Sequence, residues 1–195
     1  MGVTVEKCLQ AWTNSLRQMN AKADIVFFGD SLTYYGDFAS AFPGKVVCNL
    51  GLRGDTIQGM IERIQQVRIL KPERVYLMVG LNDVAVCRID EFVNNYSRLV
   101  NALMNELKSA RIYVQSMLPV NNVDFIISCN NLQIRTYNEA IRCIANKFGI
   151  PYLDLYSVYG GTGFLEKDKT IDGIHLKLES YQEWIHFLIN NKILE

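Results

Sequence analysis

Ser31 stands in the run Ile25-Val26-Phe27-Phe28-Gly29-Asp30-Ser31-Leu32-Thr33, where an apolar stretch breaks at a Gly-Asp pair and presents a hydroxyl. Far along the chain, Asp172-Gly173-Ile174-His175 puts a carboxylate three residues before an imidazole. A serine becomes a nucleophile at neutral pH only with a base beside it, and the base needs a carboxylate to fix its tautomer and stabilise its cation. The chain has 2 histidines, and His175 is the one with such a carboxylate at hand. The chemistry these types and spacings could carry out is serine-based hydrolysis.

Two further segments fall between these ends. Asn49-Leu50-Gly51-Leu52-Arg53-Gly54-Asp55-Thr56 follows the apolar run Val46-Val47-Cys48, and Gly80-Leu81-Asn82-Asp83 follows Val75 to Val79. With all four segments in this order from Ile25 to about Trp184, the chain resembles the SGNH hydrolases, also called GDSL esterases and lipases, and their small single-domain acetylhydrolase-like members in particular. The resemblance implies roles for particular residues. Ser31 would be the nucleophile, His175 the general base and then acid, and Asp172 the orienting carboxylate. The backbone N–H groups of Ser31 and Gly54 and the side-chain amide of Asn82 would form the oxyanion hole. Leu81 departs from many relatives, which carry threonine there.

The residue types suit those roles independently. Fixed donors at a developing oxyanion are worth roughly 3–4 kcal/mol each. Glycine lets backbone approach a ligand closely, and an asparagine amide is a neutral donor that keeps its protons.

Each residue also has a plainer reading. Ser31 suits a helix start after a strand, Gly54 a turn, and Asn82-Asp83 a turn pair. Asp30 reads as a structural residue that holds the serine loop through local backbone bonds, and Asp83 as a structural hydrogen-bonder. Tyr34, Tyr35 and Phe38 follow the serine and are candidates to line a substrate pocket, or else core or surface aromatics. Arg53 could meet an anionic or hydroxylated substrate, with a solvated charge as the default. His186 reads as a surface or core-edge residue.

Other chemistries find little support. No HExxH or Cys/His cluster is present, so no metal site is expected. Gly160-Gly161-Thr162-Gly163 lacks dinucleotide spacing, no Walker-type loop occurs, and Thr33 stands where a GxSxG elbow needs its second glycine. No cofactor is expected. Charge is balanced at 20 basic and 20 acidic residues, which gives no reason to expect a nucleic-acid or acidic-membrane partner.

The 5 cysteines are scattered without a CxxC pair. Cys48 in an apolar run and Cys143 on a helical pattern read as buried thiols, and the set suggests a reducing compartment. The N-terminal residues do not read as a signal peptide, and no apolar stretch is long enough to span a bilayer. The expectation is a cytoplasmic protein acting on a small-molecule ester, with a homodimer suggested by analogy alone.

These groups must be positioned by alternating strands and helices. The pattern predicts a helix over 4–20 and strands at Asp24–Phe28, 45–49, 74–79, 111–117 and Ile150–Leu153. Asp55 is expected to cap a helix presenting Ile57, Met60, Ile61, Ile64 and Val67. Asp90 is expected to cap another, with Phe92, Tyr96, Leu99, Val100, Leu103 and Leu107 on one face. Helices over 131–148 and from about 178 follow, the last burying Tyr181, Trp184, Ile185 and Leu188. At 195 residues this is one domain, 1–195. Alternation implies an α/β, three-layer αβα sandwich with a mostly parallel five-stranded sheet, and the resemblance implies flavodoxin-like strand order. Ser31, Gly54 and Asn82 each follow the carboxyl end of a successive strand, the edge where such sheets bind ligands.

The expected function is a serine esterase acting on small acyl esters, with acetyl groups on a sugar as one candidate. A lysophospholipase or thioesterase, or a non-catalytic glycan- or lipid-binding domain, are the alternatives.

Overall fold

The computed structural model describes residues 5–190, with side chains described from residue 10 onward. Five strands form the sheet: β1 Ile25–Gly29, β2 Val47–Gly51, β3 Arg74–Met78, β4 Arg111–Gln115 and β5 Tyr152–Leu153. Their order is β2-β1-β3-β4-β5 and every pairing is parallel, the doubly wound arrangement that reverses direction between β1 and β3.

The helices are α1 Val5–Gln18, α2 Ser31–Tyr34, α3 Ile57–Glu62, α4 Ile64–Leu70, α5 Leu81–Val84, α6 Ile89–Glu106, α7 Asn131–Phe148, α8 Tyr156–Tyr159 and α9 Tyr181–Asn190. A right-handed crossover puts its helix on one face when the chain steps left along the sheet and on the other when it steps right. The chain steps left once, from β1 to β2, and then steps right. Accordingly α3, α4, α6 and α7 pack among themselves on one side and the 3₁₀ turn Ala39–Ala41 lies on the other; outside the crossovers, α1 packs on α4, and α9 packs on the 3₁₀ turn and on α8.

Register aligns the core. Phe27, Tyr76 and Tyr113 are direct neighbours on β1, β3 and β4, and their rings stack at 4.8 and 4.9 Å, close to the spacing of adjacent strands. Phe38 extends the stack, 3.9 Å from Phe27, and meets the Trp184 ring edge-on. Phe38 is therefore a core residue and lines no substrate pocket. The Trp184 indole N–H donates to Gln115 Oε1 at 2.8 Å, fastening α9 to β4.

Several sequence expectations are corrected. Thr56, not Asp55, caps α3, its hydroxyl accepting the Gly59 N–H; Asp55 is drawn inward to Arg63. The helix expected to continue through Val67 breaks at Arg63, whose backbone leaves helical geometry as its side chain turns into the core. Asp90 lies inside the first turn of α6, behind an Arg88 start with no side-chain cap, where its charge complements the helix dipole. β1 and β2 begin one and two residues later than expected, since Asp24 and Val46 form the lead-in: the Asp24 carboxylate accepts the Val46 N–H and the Val46 carbonyl accepts the Asp24 N–H. Cys143 is exposed, Cys48 and Cys87 are half-buried and Cys129 is buried. Cys143 sits on the outer side of α7, because that helix turns Ile134, Tyr137, Ile141 and Ile144 inward. The side chain of Cys8 and the first residue of the 4–20 helix lie outside the described residues. No helix among the described residues is long and apolar enough to cross a membrane.

Candidate active site

Ser31 is the first residue of α2, directly beyond the carboxyl end of β1. Asp30 makes the turn: its carboxylate accepts the Leu32 N–H at 3.0 Å and caps the helix. Two side chains hold α2 and the turn after it from outside. The Asn49 amide donates to the carbonyls of Thr33 and Gly36 at 2.7 and 2.8 Å, and the Tyr181 hydroxyl donates to the Leu32 carbonyl at 2.7 Å.

His175 arrives on a compact loop closed by an antiparallel bridge between Thr170 and Leu176. The Asp172 carboxylate organises that loop, accepting the N–H groups of Ile174 and His175 at 3.0 and 2.8 Å. Gly173 lies between Asp172 and Ile174 at φ +89°, a left-handed geometry that a side chain would strain. A Cβ there would also press on Phe125 and Ile127 of the segment between β4 and α7.

The three side chains form a line. Ser31 Oγ lies 2.9 Å from His175 Nε2, and Asp172 Oδ2 lies 2.7 Å from His175 Nδ1. A carboxylate on Nδ1 holds the proton there, which leaves Nε2 as the acceptor facing the serine. Burial works to raise the Asp172 carboxyl, but the bonds from the His175 backbone and ring and from Ile174 outweigh it and hold it below the ordinary carboxylate value.

A cleft of about 530 Å³ opens beside this line, and Ser31, Arg53, Gly54, Asn82, Cys129 and His175 are among the residues that border it. Gly54 sits in a turn at φ +72°, its amide donating to no acceptor among the described residues. The Asn82 amide spends one hydrogen on the Asp55 carbonyl at 2.8 Å and retains a second. The first turn of a helix leaves its amides unspent, and Ser31 N–H is one of these. Around the cleft the structure thus brings together Ser31, Gly54, Asn82, Asp172 and His175. Tyr35 packs edge-on to the His175 ring at 5.7 Å. Tyr34 leans on Tyr35, and neither tyrosine borders the cleft. His186 is exposed on α9.

Beneath the cleft lies a buried polar floor. The Arg63 guanidinium meets the Asp55 carboxylate at 2.6 Å and donates to the carbonyls of Leu50 and Gly29 at 2.8 and 2.9 Å. It thereby joins the ends of β1 and β2 to the turn that carries Gly54. Asp83 accepts the Ile57 N–H, tying α5 to the start of α3. Burial raises Asp30 to about 7, opposed in part by the Leu32 N–H, and burial raises Asp83 to about 6.

Sequence reasoning overlooked Arg63, as well as Ser128, Cys129 and Ile174 on the cleft wall. Arg63 had left a signal. It falls three residues after Met60 and four before Val67, a cation on the apolar face of the helical pattern. The wall residues left none, since their approach depends on tertiary docking of two loops.

This fold and site define an α/β hydrolytic domain with its polar groups at the carboxyl edge of a parallel sheet. The chain belongs to the GDSL-like Lipase/Acylhydrolase family, whose model matches residues 27–183. That membership supports a hydrolase of ester bonds. Its fold is similar to that of a candidate platelet activating factor from Streptococcus pneumonia, with TM-score 0.81 and 22% identity over 96% of this chain and 92% of that one. A candidate acylhydrolase from Bacteroides fragilis gives TM-score 0.81 and 22% identity over 100% of both chains. A GDSL-like lipase from Bacteroides thetaiotaomicron gives 0.75 and 20% over 97% of both. At such identities the likeness is one of fold. No curated protein matches the chain.

Proposed function

We propose that this protein is a serine esterase that cleaves small acyl esters, acetyl esters first among them and sugar acetates included, through an acyl-serine intermediate. The observation that carries the reading is the aligned Ser31, His175 and Asp172, with contacts of 2.9 and 2.7 Å. His175 Nε2 takes the Ser31 hydroxyl proton as Oγ attacks the ester carbonyl. The negative charge that develops on the carbonyl oxygen is met by the N–H groups of Ser31 and Gly54 and the free Asn82 amide hydrogen. Asp172 stabilises the imidazolium that results. Collapse expels the alcohol, which leaves with the proton from His175; water, deprotonated by the same nitrogen, then releases the acid. No step calls for a metal or cofactor.

The test is hydrolysis of 4-nitrophenyl esters from acetyl to long acyl chains, with Ser31→Ala alongside and fluorophosphonate labelling of both proteins. Activity greatest at short chains, with turnover and labelling lost in the variant, is expected. Retained turnover by Ser31→Ala would end the nucleophile assignment. An optimum at long chains would replace the acetyl preference with a lipase-like one.

A further inference from the structure

The geometry points to a substrate that carries a negative charge, a carboxylate or phosphate on its acyl or alcohol half, received by Arg53 at the cleft wall. This inference rests on the esterase reading of the same cleft. Arg53 immediately precedes Gly54, so its side chain starts one residue from a proposed oxyanion donor. Its guanidinium lies over the ring of Tyr35 at 5.8 Å, and that ring packs edge-on to His175 at 5.7 Å. A cation held over an aromatic face keeps the hydrogen-bonding edge of its plane available. Among the described residues, Arg53 makes no ion pair and is the one Lys or Arg that borders the cleft.

The carboxylates nearby are engaged elsewhere. Asp172 is turned to His175, Asp55 is bound by Arg63, Asp83 accepts the Ile57 N–H and Asp30 accepts the Leu32 N–H. A guanidinium with its donors unspent matches a planar carboxylate or a phosphate through paired N–H groups. The contact strengthens as substrate displaces water from the cleft.

Two substrate pairs separate the halves of the ester. On the acyl side, 4-nitrophenyl hydrogen adipate is compared with its neutral methyl adipate counterpart. On the alcohol side, 4-acetoxybenzoate is compared with methyl 4-acetoxybenzoate. For each pair the charged-to-neutral ratio of kcat/KM is measured in the unmodified protein, Arg53→Gln and Arg53→Glu. Electronic differences between the two esters are common to all three proteins and cancel in the comparison. The ratio is expected to fall about tenfold in Arg53→Gln for at least one pair, the effect of a lost charge-assisted hydrogen bond, and further in Arg53→Glu. In the unmodified protein it is expected to decline as salt is raised. Ratios within twofold across the three proteins for both pairs would overturn the inference while leaving the esterase reading intact. Absence of turnover of all four esters, together with no fluorophosphonate labelling, would overturn both.

Discussion

The Arg63 guanidinium and the Asp55 carboxylate meet at 2.6 Å with both side chains almost wholly buried. Burial pushes Asp55 up and Arg63 down, both toward neutrality, and their mutual attraction opposes that push in each case. A pair in this balance adds little net stability, but breaking it strands a charge. Arg63→Met is therefore expected to cost about 3–5 kcal/mol, and Arg63→Met with Asp55→Leu to cost distinctly less. Urea unfolding of the two variants checks this. A double variant no more stable than the single one would show that Arg63 acts through its carbonyl contacts instead.

The second amide hydrogen of Asn82 leads to a kinetic expectation. Asn82→Ala should lower kcat by roughly 100–1000-fold with a smaller change in KM, because the contact forms as charge develops on the carbonyl oxygen. Steady-state kinetics on 4-nitrophenyl acetate decide it. A loss expressed in KM alone would assign Asn82 to ground-state binding.

Asp172→Asn keeps the shape of the loop while removing the negative charge that faces Nδ1. The amide can present its NH₂ to the ring and favour the wrong tautomer. A fall in kcat of about 10³–10⁴-fold is expected, with unfolding little changed since the side chain is half exposed. Kinetics and thermal melts of the same preparation separate the two effects.

Asp30 offers a pH signature of stability. Its carboxyl is raised to about 7 in the folded chain against about 3.9 in the unfolded one, so the fold holds the proton more tightly. The stability this contributes is fully present below about pH 4 and is lost as pH rises through 7. Asp83, raised to about 6, acts in the same direction. Asp172 acts oppositely, but its depressed value confines the loss to acid below the ordinary carboxylate range. Asp30→Asn preserves an acceptor for the Leu32 N–H and cannot ionise, so the decline in stability between pH 5 and 8 should become shallower. Denaturant midpoints across that range give the answer. An unchanged slope would mean that Asp30 does not titrate there.

How far the chain could be read beforehand follows from what local sequence encodes. The apolar runs ending in Phe28, Cys48 and Val79 announced three strands whose ends carry Ser31, Gly54 and Asn82, because period and turn chemistry are local. The Asp172–His175 spacing was legible for the same reason: one short loop makes that contact. Asp55 was misjudged as a cap since its true partner lies eight residues on, inside the core, and a capping pattern cannot reveal which way a carboxylate turns. Strand order came from family resemblance. Phe38 could not be assigned to core or pocket before its stack on Phe27 was known.

The loop from Thr170 to Leu176 is stitched to itself, and it comes after the whole sheet: β5 ends at Leu153. During synthesis the five strands and the serine therefore leave the ribosome before the imidazole does, and α9 follows both. A sheet assembled without that loop would hold its hydroxyl idle. Catalytic competence in a growing chain therefore marks nearly complete synthesis, with the loop and the α9 that follows it both in place.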